Sequence, residues 1–342
     1  MKPNVLIRVD GSPSIGMGHV IRCIALAEMI KNEFRVIFVI QQPVVSITNL
    51  ISAVTSNIIC LPQTQNYKTD VLNFTKHLTT KDIVVLDGYN FTTDYQKRIK
   101  ATGCKIISID DLHAWHQVAD VIINHADVIE SSDYSAEKYT KFYLGARYAL
   151  LRKTFLNPGE KAPKIDAIKK VFISMGASDI NNLTGKYTEA IAEVKDIEEI
   201  HLMLGPINLN LESIKLLIEE NKRVNVIPHY NITAEELSNL LQSCDLAICS
   251  ASNISLECCA VGIGLISGFT AENQQGILQG LDNRKALINW GNLNTVTKTD
   301  ISKQIRELIN KPEVFNDLIV NQKLIIDGKS PERILNIFNT LS

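Results

Sequence analysis

Short apolar runs alternate with amphipathic stretches along most of the chain. Residues 82–87 form a nearly continuous apolar run ending in an acid, typical of a strand buried on both faces of a sheet. Residues 19–31 carry apolar side chains at helical spacing. The pattern predicts strands at 5–7, 35–40, 57–61, 82–87, 105–109, 121–124, 171–174, 200–204, 224–227, 246–249 and 263–266, and helices at 19–31, 44–54, 95–101, 182–194 and beyond 299. Such alternation predicts an α/β protein with parallel sheets and right-handed crossovers.

The composition changes once, at residues 156–164, where two prolines, a glycine and several charges favour a linker. After it the order of strand, small-residue loop and helix begins again. We therefore expect two related Rossmann-like domains, 1–156 and 165–342, facing each other across a cleft. A chain of 342 residues agrees with a prior of about 150 residues per domain. Whether the C-terminal helices pack back on the N-terminal domain stays open.

Composition and charge exclude several classes of function. The net charge is −2 and no long basic run occurs, so neither nucleic acid nor an anionic membrane is expected as a partner. We expect no signal peptide before the first strand, and residues 248–269 carry too many polar groups to span a membrane. Seven cysteines without CxxC spacing indicate reduced thiols. We expect a cytoplasmic monomer without a cofactor.

The loop between the first strand and the first helix is the strongest candidate for chemistry. Gly16 and Gly18 lack a Cβ, so the backbone there can approach an anion closely. His19 follows at the helix start, where the helix dipole favours the neutral imidazole that a general base needs. Equally, the glycines can serve the turn alone. Gln41 and Gln42 stand where dinucleotide folds carry an acid, which disfavours NAD.

In the second half, small polar residues follow two predicted strands. Residues 174–179 could hold a phosphate with backbone N–H groups and hydroxyls. Around 249–257, Glu257 could accept hydrogen bonds from ribose hydroxyls, whereas the alternative is helix capping by Ser252 or Asn253. His229 could lie beside a base ring or be a surface histidine.

A cluster of acids and histidines after the strand at 105–109 raises the possibility of a metal site. Asp110, Asp111, His113, His116 and His125 are residue types that bind divalent ions. Their spacing matches no dense metal-ligand motif, so no metal is expected. The alternative is that they line the cleft and bind a polar substrate.

Motifs along nearly the whole chain resemble those of the UDP-2,4-diacetamido-2,4,6-trideoxy-β-L-altropyranose hydrolases of pseudaminic acid synthesis. The matching segments are 8–10 with 16–23, 109–111, 173–176 with Asp179, 250–252 with Glu257, and 325–328 with 332–333. The chain is also similar in outline to the N-acetylglucosaminyltransferase of peptidoglycan synthesis, although Arg22 replaces a proline normally found there. Ala177 and Gly88 depart from the hydrolase pattern.

The resemblance implies a glycosyltransferase-B fold, with UDP held by the C-terminal domain and the sugar facing the N-terminal loop. It implies that His19 is the catalytic base and that UDP leaves when activated water attacks the anomeric carbon. The expected substrate-binding residues are Asp10, Gly16, Gly18, Arg22, Asp87, Tyr89, Asp110, Asn182, Glu257 and Asn273, and the expected nucleotide-binding residues are Gly176, Ser178, Asp179, His229, Ser250, Ser252 and Asn253. A UDP-sugar transferase, a hydrolysing UDP-N-acetylglucosamine 2-epimerase and a non-catalytic binding module remain alternatives.

Overall fold

The structure is a computed structural model that describes residues 2–11, 17–156, 164–205 and 208–342. The described chain divides into two units, Met1–Lys153 with Gly328–Ser342 and Thr154–Asp327. Most of the predicted linker, residues 157–163, lies outside the described residues. No helix in the described ranges has both the length and the apolar content needed to cross a bilayer.

The first unit is built on a parallel sheet with helices between its strands. Its elements are β1 (Asn4–Val9), α1 (Gly18–Ile30), β2 (Arg35–Gln41), α2 (Val45–Ser52), β3 (Ile58–Leu61), α3 (Tyr67–Thr75), β4 (Ile83–Asp87), α4 (Thr93–Lys100), β5 (Lys105–Ile109), β6 (Val121–Asn124) and β7 (Lys141–Leu144), and α12 (Ser330–Asn339) belongs to it as well. The sheet order is β3-β2-β1-β4-β5-β6-β7. The apolar runs of β1 and β4 are buried because helices cover both faces of the sheet.

Strand order in this sheet reverses beside β1, whose neighbours are β2 and β4. Val9 at the end of β1 pairs in register with Asp87 at the end of β4. Open α/β sheets bind ligands at such a reversal, outside the carboxyl ends of the strands. The fold thus brings the start of α1 and the end of β4 to one expected binding position.

The second unit repeats this plan. Its elements are β8 (Lys170–Ser174), α5 (Leu183–Ala192), β9 (Glu199–Leu204), α6 (Leu211–Glu220), β10 (Asn225–Tyr230), α7 (Ala234–Ser243), β11 (Leu246–Ser250), α8 (Asn253–Val261), β12 (Gly264–Phe269), α9 (Gln275–Asn283), β13 (Ile288–Asn292), α10 (Lys298–Ile309) and α11 (Glu313–Ile325). The parallel sheet has the order β10-β9-β8-β11-β12-β13. The reversal lies between β8 and β11, where Ser174 pairs with Cys249. Two parallel sheets with alternating helices confirm the predicted α/β architecture.

Several elements were not predicted individually. Strands β7 and β13 lie at the last position of their sheets, where a strand has only one neighbour and needs a shorter apolar run. Their sequences, KFYL and INWGN, are only partly apolar. Helices α3, α6, α7 and α9 complete the alternation that the sequence predicted only in outline.

Candidate active site

His19 is the second residue of α1, the helix that follows β1 along the chain. Its side chain is almost completely buried, with 4% of the residue exposed. The ring of Tyr89 packs edge-on against the imidazole, with 4.7 Å between ring centroids. The imidazole is therefore held in one orientation rather than displayed on the surface of the helix.

Asp87, the last residue of β4, fixes the other side of this ring. Its Oδ1 lies 2.6 Å from Nδ1 of His19, and the carboxylate is completely buried. In the neutral ring, Nδ1–H donates to this carboxylate, so Nε2 carries the lone pair. A buried carboxylate that orients a histidine is the arrangement that prepares an imidazole to remove a proton.

Arg22, one turn after His19, neutralises the same carboxylate. Its Nε donates to Oδ2 of Asp87 at 2.7 Å and its Nη2 donates to Oδ1 at 2.6 Å. Nη2 is also 3.0 Å from Nδ1 of His19, but both nitrogens donate to Asp87, so this is a contact between two donors. Burial would raise the pKa of Asp87, yet Arg22 and His19 hold that pKa well below its ordinary value. The carboxylate stays ionised and orients His19.

Cys23 contributes a fourth donor to Asp87, with Sγ 3.3 Å from Oδ2. Burial raises the pKa of this thiol well above its usual value, so the sulfur stays protonated. Both oxygens of Asp87 are thus occupied within the protein. Because the carboxylate of Asp87 is completely buried, the expected direct contact with the substrate does not suit this position. Asp87 instead orients His19 and Arg22, which hydrogen-bond to it.

The two adjacent acids after β5 have different environments. Asp111 pairs with Nη1 of Arg22 at 3.1 Å and joins the His19 network. Asp110, the residue expected to bind substrate, accepts from the backbone N–H of Leu112 at 2.9 Å and from Nε2 of Gln117 at 2.9 Å. Burial raises the pKa of Asp110, with the loop amides opposing the shift. The sequence named Asp111 only among residues that could line a cleft or bind a metal, whereas the structure joins it to the His19 network. The expected contact of Asp110 with the substrate stays a prediction.

Asp10 belongs to a second polar network at the same edge of the sheet. Its Oδ1 accepts from Arg8 at 2.6 Å and from the backbone N–H of Gln41 at 3.0 Å, while Tyr67 donates to Oδ2 at 3.0 Å. The guanidinium of Arg8 is fully buried and also pairs with Asp70 at 2.9 Å. Asp10 is therefore held at the entrance to the glycine-containing loop.

Of the two loop glycines, only Gly18 can be located. Gly16 lies outside the described residues. Gly18 begins α1. Apart from its chain neighbours and the backbone of its own helix, no described heavy atom lies within 4 Å of the position that a Cβ would take. As far as the described residues show, the missing Cβ of Gly18 leaves room for the expected close approach of a ligand.

The start of α5 differs from the predicted phosphate cradle. Asp179 accepts from the backbone N–H groups of Leu183 at 2.8 Å and Thr184 at 2.9 Å, and Asn182 accepts from that of Gly185 at 3.3 Å. These side chains cap the helix and occupy the amides that would otherwise bind an anion. The carboxylate of Asp179 therefore caps the helix, and Asn182 serves as its N-cap. The expected contacts of Asp179 with the nucleotide and of Asn182 with the substrate stay predictions.

The loop before these caps holds two other candidates for the nucleotide, and Gly176 is exposed to solvent. Gly176 adopts a left-handed backbone with φ +96°, a conformation that favours glycine. Ser178 is half-buried, and its carbonyl accepts from the N–H of Leu209 at 3.4 Å. Their expected contact with the nucleotide stays a prediction.

The start of α8, after β11, is organised differently. Ser252 occupies the N-cap position, yet its side chain makes no capping hydrogen bond within the described structure; its Oγ lies 3.4 Å from Oγ of Ser250. Nδ2 of Asn253 is buried without a hydrogen-bond partner among the described residues. Glu257 is buried in the second turn of α8, too far along the helix for a capping box. The predicted capping alternative is therefore not what these side chains do.

Two further candidates lie on or after other strands of this sheet. His229, on β10, lies 3.0 Å from His201 through Nε2 and Nδ1, with the rings stacked. Burial and the neighbouring His201 lower the pKa of His229. Asn273 follows β12 in a short 3-10 helix, Glu272–Gln274.

The histidines near Asp110 have separate partners. His113 contacts Asn124 at 3.2 Å, whereas His116 lies 2.8 Å from Ser135 and 3.3 Å from Glu137. Throughout the described ranges, no three His, Cys, Asp or Glu side chains converge as a metal site would require.

Three curated proteins resemble the chain in sequence. The spore coat polysaccharide biosynthesis protein SpsG of Bacillus subtilis is 22% identical across 99% of this chain and 98% of its own length. The UDP-2,4-diacetamido-2,4,6-trideoxy-β-L-altropyranose hydrolase of Campylobacter jejuni is 26% identical across 74% and 86%. An uncharacterized protein of Methanocaldococcus jannaschii is 25% identical, and the chain spans 56% of its length. No protein-family model matches the chain.

Solved structures share the fold over nearly the entire chain. MurG of Acinetobacter baumannii has a TM-score of 0.68 at 14% identity, with 99% of both chains covered. MnaA of S. aureus, solved with UDP, has a TM-score of 0.68 at 12% identity, with 99% and 98% covered. A UDP-glucosyltransferase of Polygonum tinctorium has a TM-score of 0.66 at 12% identity, with 100% and 98% covered. The predicted glycosyltransferase-B fold class is confirmed by this likeness.

Proposed function

We propose that this protein hydrolyses a UDP-linked diacetamido-trideoxy sugar, UDP-2,4-diacetamido-2,4,6-trideoxy-β-L-altropyranose, to the free sugar and UDP. The observation that carries the proposal is the pairing of His19 with the buried Asp87 carboxylate at the strand-order reversal of the first sheet. The name of the C. jejuni relative supports the reaction and the sugar, and the UDP in the S. aureus structure supports the nucleotide.

In this mechanism, His19 acts as the general base. Its Nε2 takes a proton from a water molecule as the water oxygen attacks the anomeric carbon. The bond from that carbon to the diphosphate oxygen breaks, and UDP leaves with the bonding electron pair. Asp87 stabilises the imidazolium that forms, while Arg22 keeps the carboxylate ionised. One water is consumed for each UDP released.

For the nucleotide, we propose the start of α8 rather than that of α5. The N-terminal amides of α8 follow an N-cap whose side chain makes no capping bond within the described structure, whereas α5 is capped by Asp179 and Asn182. The backbone N–H groups at a helix start favour a phosphate group. In α8, that of Ser255 already donates to the carbonyl of Ser252 at 2.9 Å, so the proposed phosphate contacts are the N–H groups of Asn253 and Ile254. Glu257 in the next turn is then the candidate acceptor for the ribose hydroxyls.

The test is release of UDP from a panel of UDP-amino-sugars without any acceptor. A hydrolase turns over under these conditions, and a transferase does so only when an acceptor hydroxyl is added. An epimerase yields a free sugar altered at C2, and a binding module releases no UDP. His19→Ala should lower kcat by about two to four orders of magnitude while UDP affinity stays unchanged. Turnover near the wild-type value in a folded His19→Ala protein would contradict the assignment.

Isotope labelling identifies the bond that breaks. In ¹⁸O-labelled water, attack at the anomeric carbon places the label in the free sugar and none in UDP. The first-formed sugar should have the inverted anomeric configuration, and activity should survive EDTA because a histidine activates the water. Label in the phosphate of UDP would overturn this mechanism.

A further inference from the structure

Two large apolar side chains are exposed beside the acids that follow β5. Trp115 is 43% exposed and Leu112 is 38% exposed. Both line a shallow depression at the carboxyl ends of β4 and β5, whose other lining residues include Tyr89, Phe91, Asp110 and Asp111. Apolar residues exposed together next to carboxylates are typical of sites that bind a ligand of mixed polarity.

Trp115 is connected to the candidate base through one residue. Its indole Nε1–H donates to the carbonyl oxygen of Tyr89 at 3.4 Å, and the ring of Tyr89 packs on His19. Asp111, in the same depression, pairs with Arg22 of the His19 network. The exposed indole therefore borders the network around His19.

We propose that Trp115 and Leu112 form an apolar platform that determines specificity for the sugar. The inference rests on the proposed function and names which part of the substrate the platform reads. A trideoxy diacetamido sugar carries a C6 methyl group and two acetyl methyl groups. Methyl and C–H groups pack favourably on an indole face, whereas a C6 hydroxyl there would lose hydrogen bonds to water. The platform therefore favours 6-deoxy over 6-hydroxy UDP-sugars.

The kinetic test compares two UDP-sugars that differ only at C6, one with a methyl group and one with a hydroxymethyl group. Trp115→Ala should reduce the preference in kcat/KM for the methyl sugar by about tenfold, the size expected of one apolar contact. Trp115→Phe should retain most of the preference. Tyr139→Ala is the matched control, because Tyr139 is a half-exposed aromatic of the same unit that donates to the carbonyl of Val118 instead. It should leave the preference unchanged.

A fluorescence measurement tests the contact without requiring turnover. The chain has two tryptophans, and Trp290 is buried, so Trp290→Phe leaves Trp115 as the reporter. In the background of His19→Ala, the 6-deoxy UDP-sugar should shift and quench the emission of Trp115. UDP alone should change it much less, since the platform contacts the sugar.

The outcomes separate the two proposals. If the wild type releases no UDP, yet the sugar shifts the emission of Trp115, hydrolysis is wrong and the platform stands. If the wild type hydrolyses the sugar but Trp115→Ala slows both substrates equally, the residue only supports Tyr89 and the platform is overturned. Equal emission changes with UDP alone and with the UDP-sugar would overturn it too.

Discussion

Replacing Asp87 with asparagine tests the histidine–carboxylate pair directly. Four donors converge on this side chain: Nδ1 of His19, Nε and Nη2 of Arg22, and Sγ of Cys23. An amide has one oxygen, so about two of the four hydrogen bonds lose their acceptor. The buried guanidinium of Arg22 also loses its closer counter-charge and, among the described residues, keeps only Asp111, at 3.1 Å. Breaking a buried ion pair from one side costs about 3–5 kcal/mol, and we expect Asp87→Asn to fall near the lower end because its shape is preserved.

The effect on catalysis should be larger than the effect on folding. An amide facing His19 no longer selects the tautomer with Nδ1–H or stabilises the imidazolium, so kcat should fall by about 10²–10⁴-fold. KM should change little, because the carboxylate is completely buried. Initial rates of UDP release measure kcat, and urea unfolding followed by circular dichroism measures stability.

Asp120→Asn is the matched control for this variant. Asp120 pairs with Lys100 at 2.5 Å and accepts from the backbone N–H of Ile106, in the same unit but away from His19. It should lower stability without lowering kcat. A folded Asp87→Asn protein with kcat within about threefold of wild type, instead of the expected loss of about 10²–10⁴-fold, would refute the reasoning.

Three further predictions address the other polar groups. Glu257→Ala should weaken UDP binding by about 1.5–3 kcal/mol in calorimetric titration, and unchanged affinity in a folded variant would leave Glu257 only a structural role. Asp70→Asn should destabilise the protein by about 3–5 kcal/mol because it leaves the buried Arg8 without this counter-ion, and a Tm equal to that of wild type would contradict this. Burial raises the pKa of Tyr67 to about 12. The unfolded chain therefore loses this proton first, and stability should fall as the pH rises from about 10 towards that value. Tyr67→Phe should flatten the alkaline decline in urea midpoints, and an unaltered slope would exclude Tyr67 as its source.

The sequence predicted central strands better than edge strands, and strand ends better than side-chain partners. The run at 82–87 is readable because both faces of β4 are buried, whereas KFYL of β7 is not, because an edge strand needs less apolar surface. His19 and Asp87 could be assigned to one edge of the sheet from their order alone. Their direct contact could not, because it depends on the register between β1 and β4.

Adjacent acids show a second limit. The loop after β5 determines which of the two acids joins the His19 network. The backbone N–H of Leu112 donates to Asp110, whereas Asp111 pairs with Arg22. Likewise, the small polar residues at 174–179 suggested a phosphate site made of backbone N–H groups and hydroxyls. The sequence did not show that Asp179, with a left-handed backbone at φ +39°, caps α5 with its carboxylate. Local backbone geometry of this kind has no periodic signature in a sequence.

The position of α12 has a consequence for the order in which the protein can fold during synthesis. This helix belongs to the first unit, and its Phe338 packs on Phe34 with 5.6 Å between ring centroids. A ribosome makes α12 only after the whole second unit, Thr154–Asp327, has been translated. The second unit is continuous in sequence and can fold first. Until α12 is made, α1, which contacts α12 in the folded unit, lacks that covering helix. The packing around the helix that carries His19 is therefore completed late. A chaperone that shields α1 during translation would protect the candidate site itself.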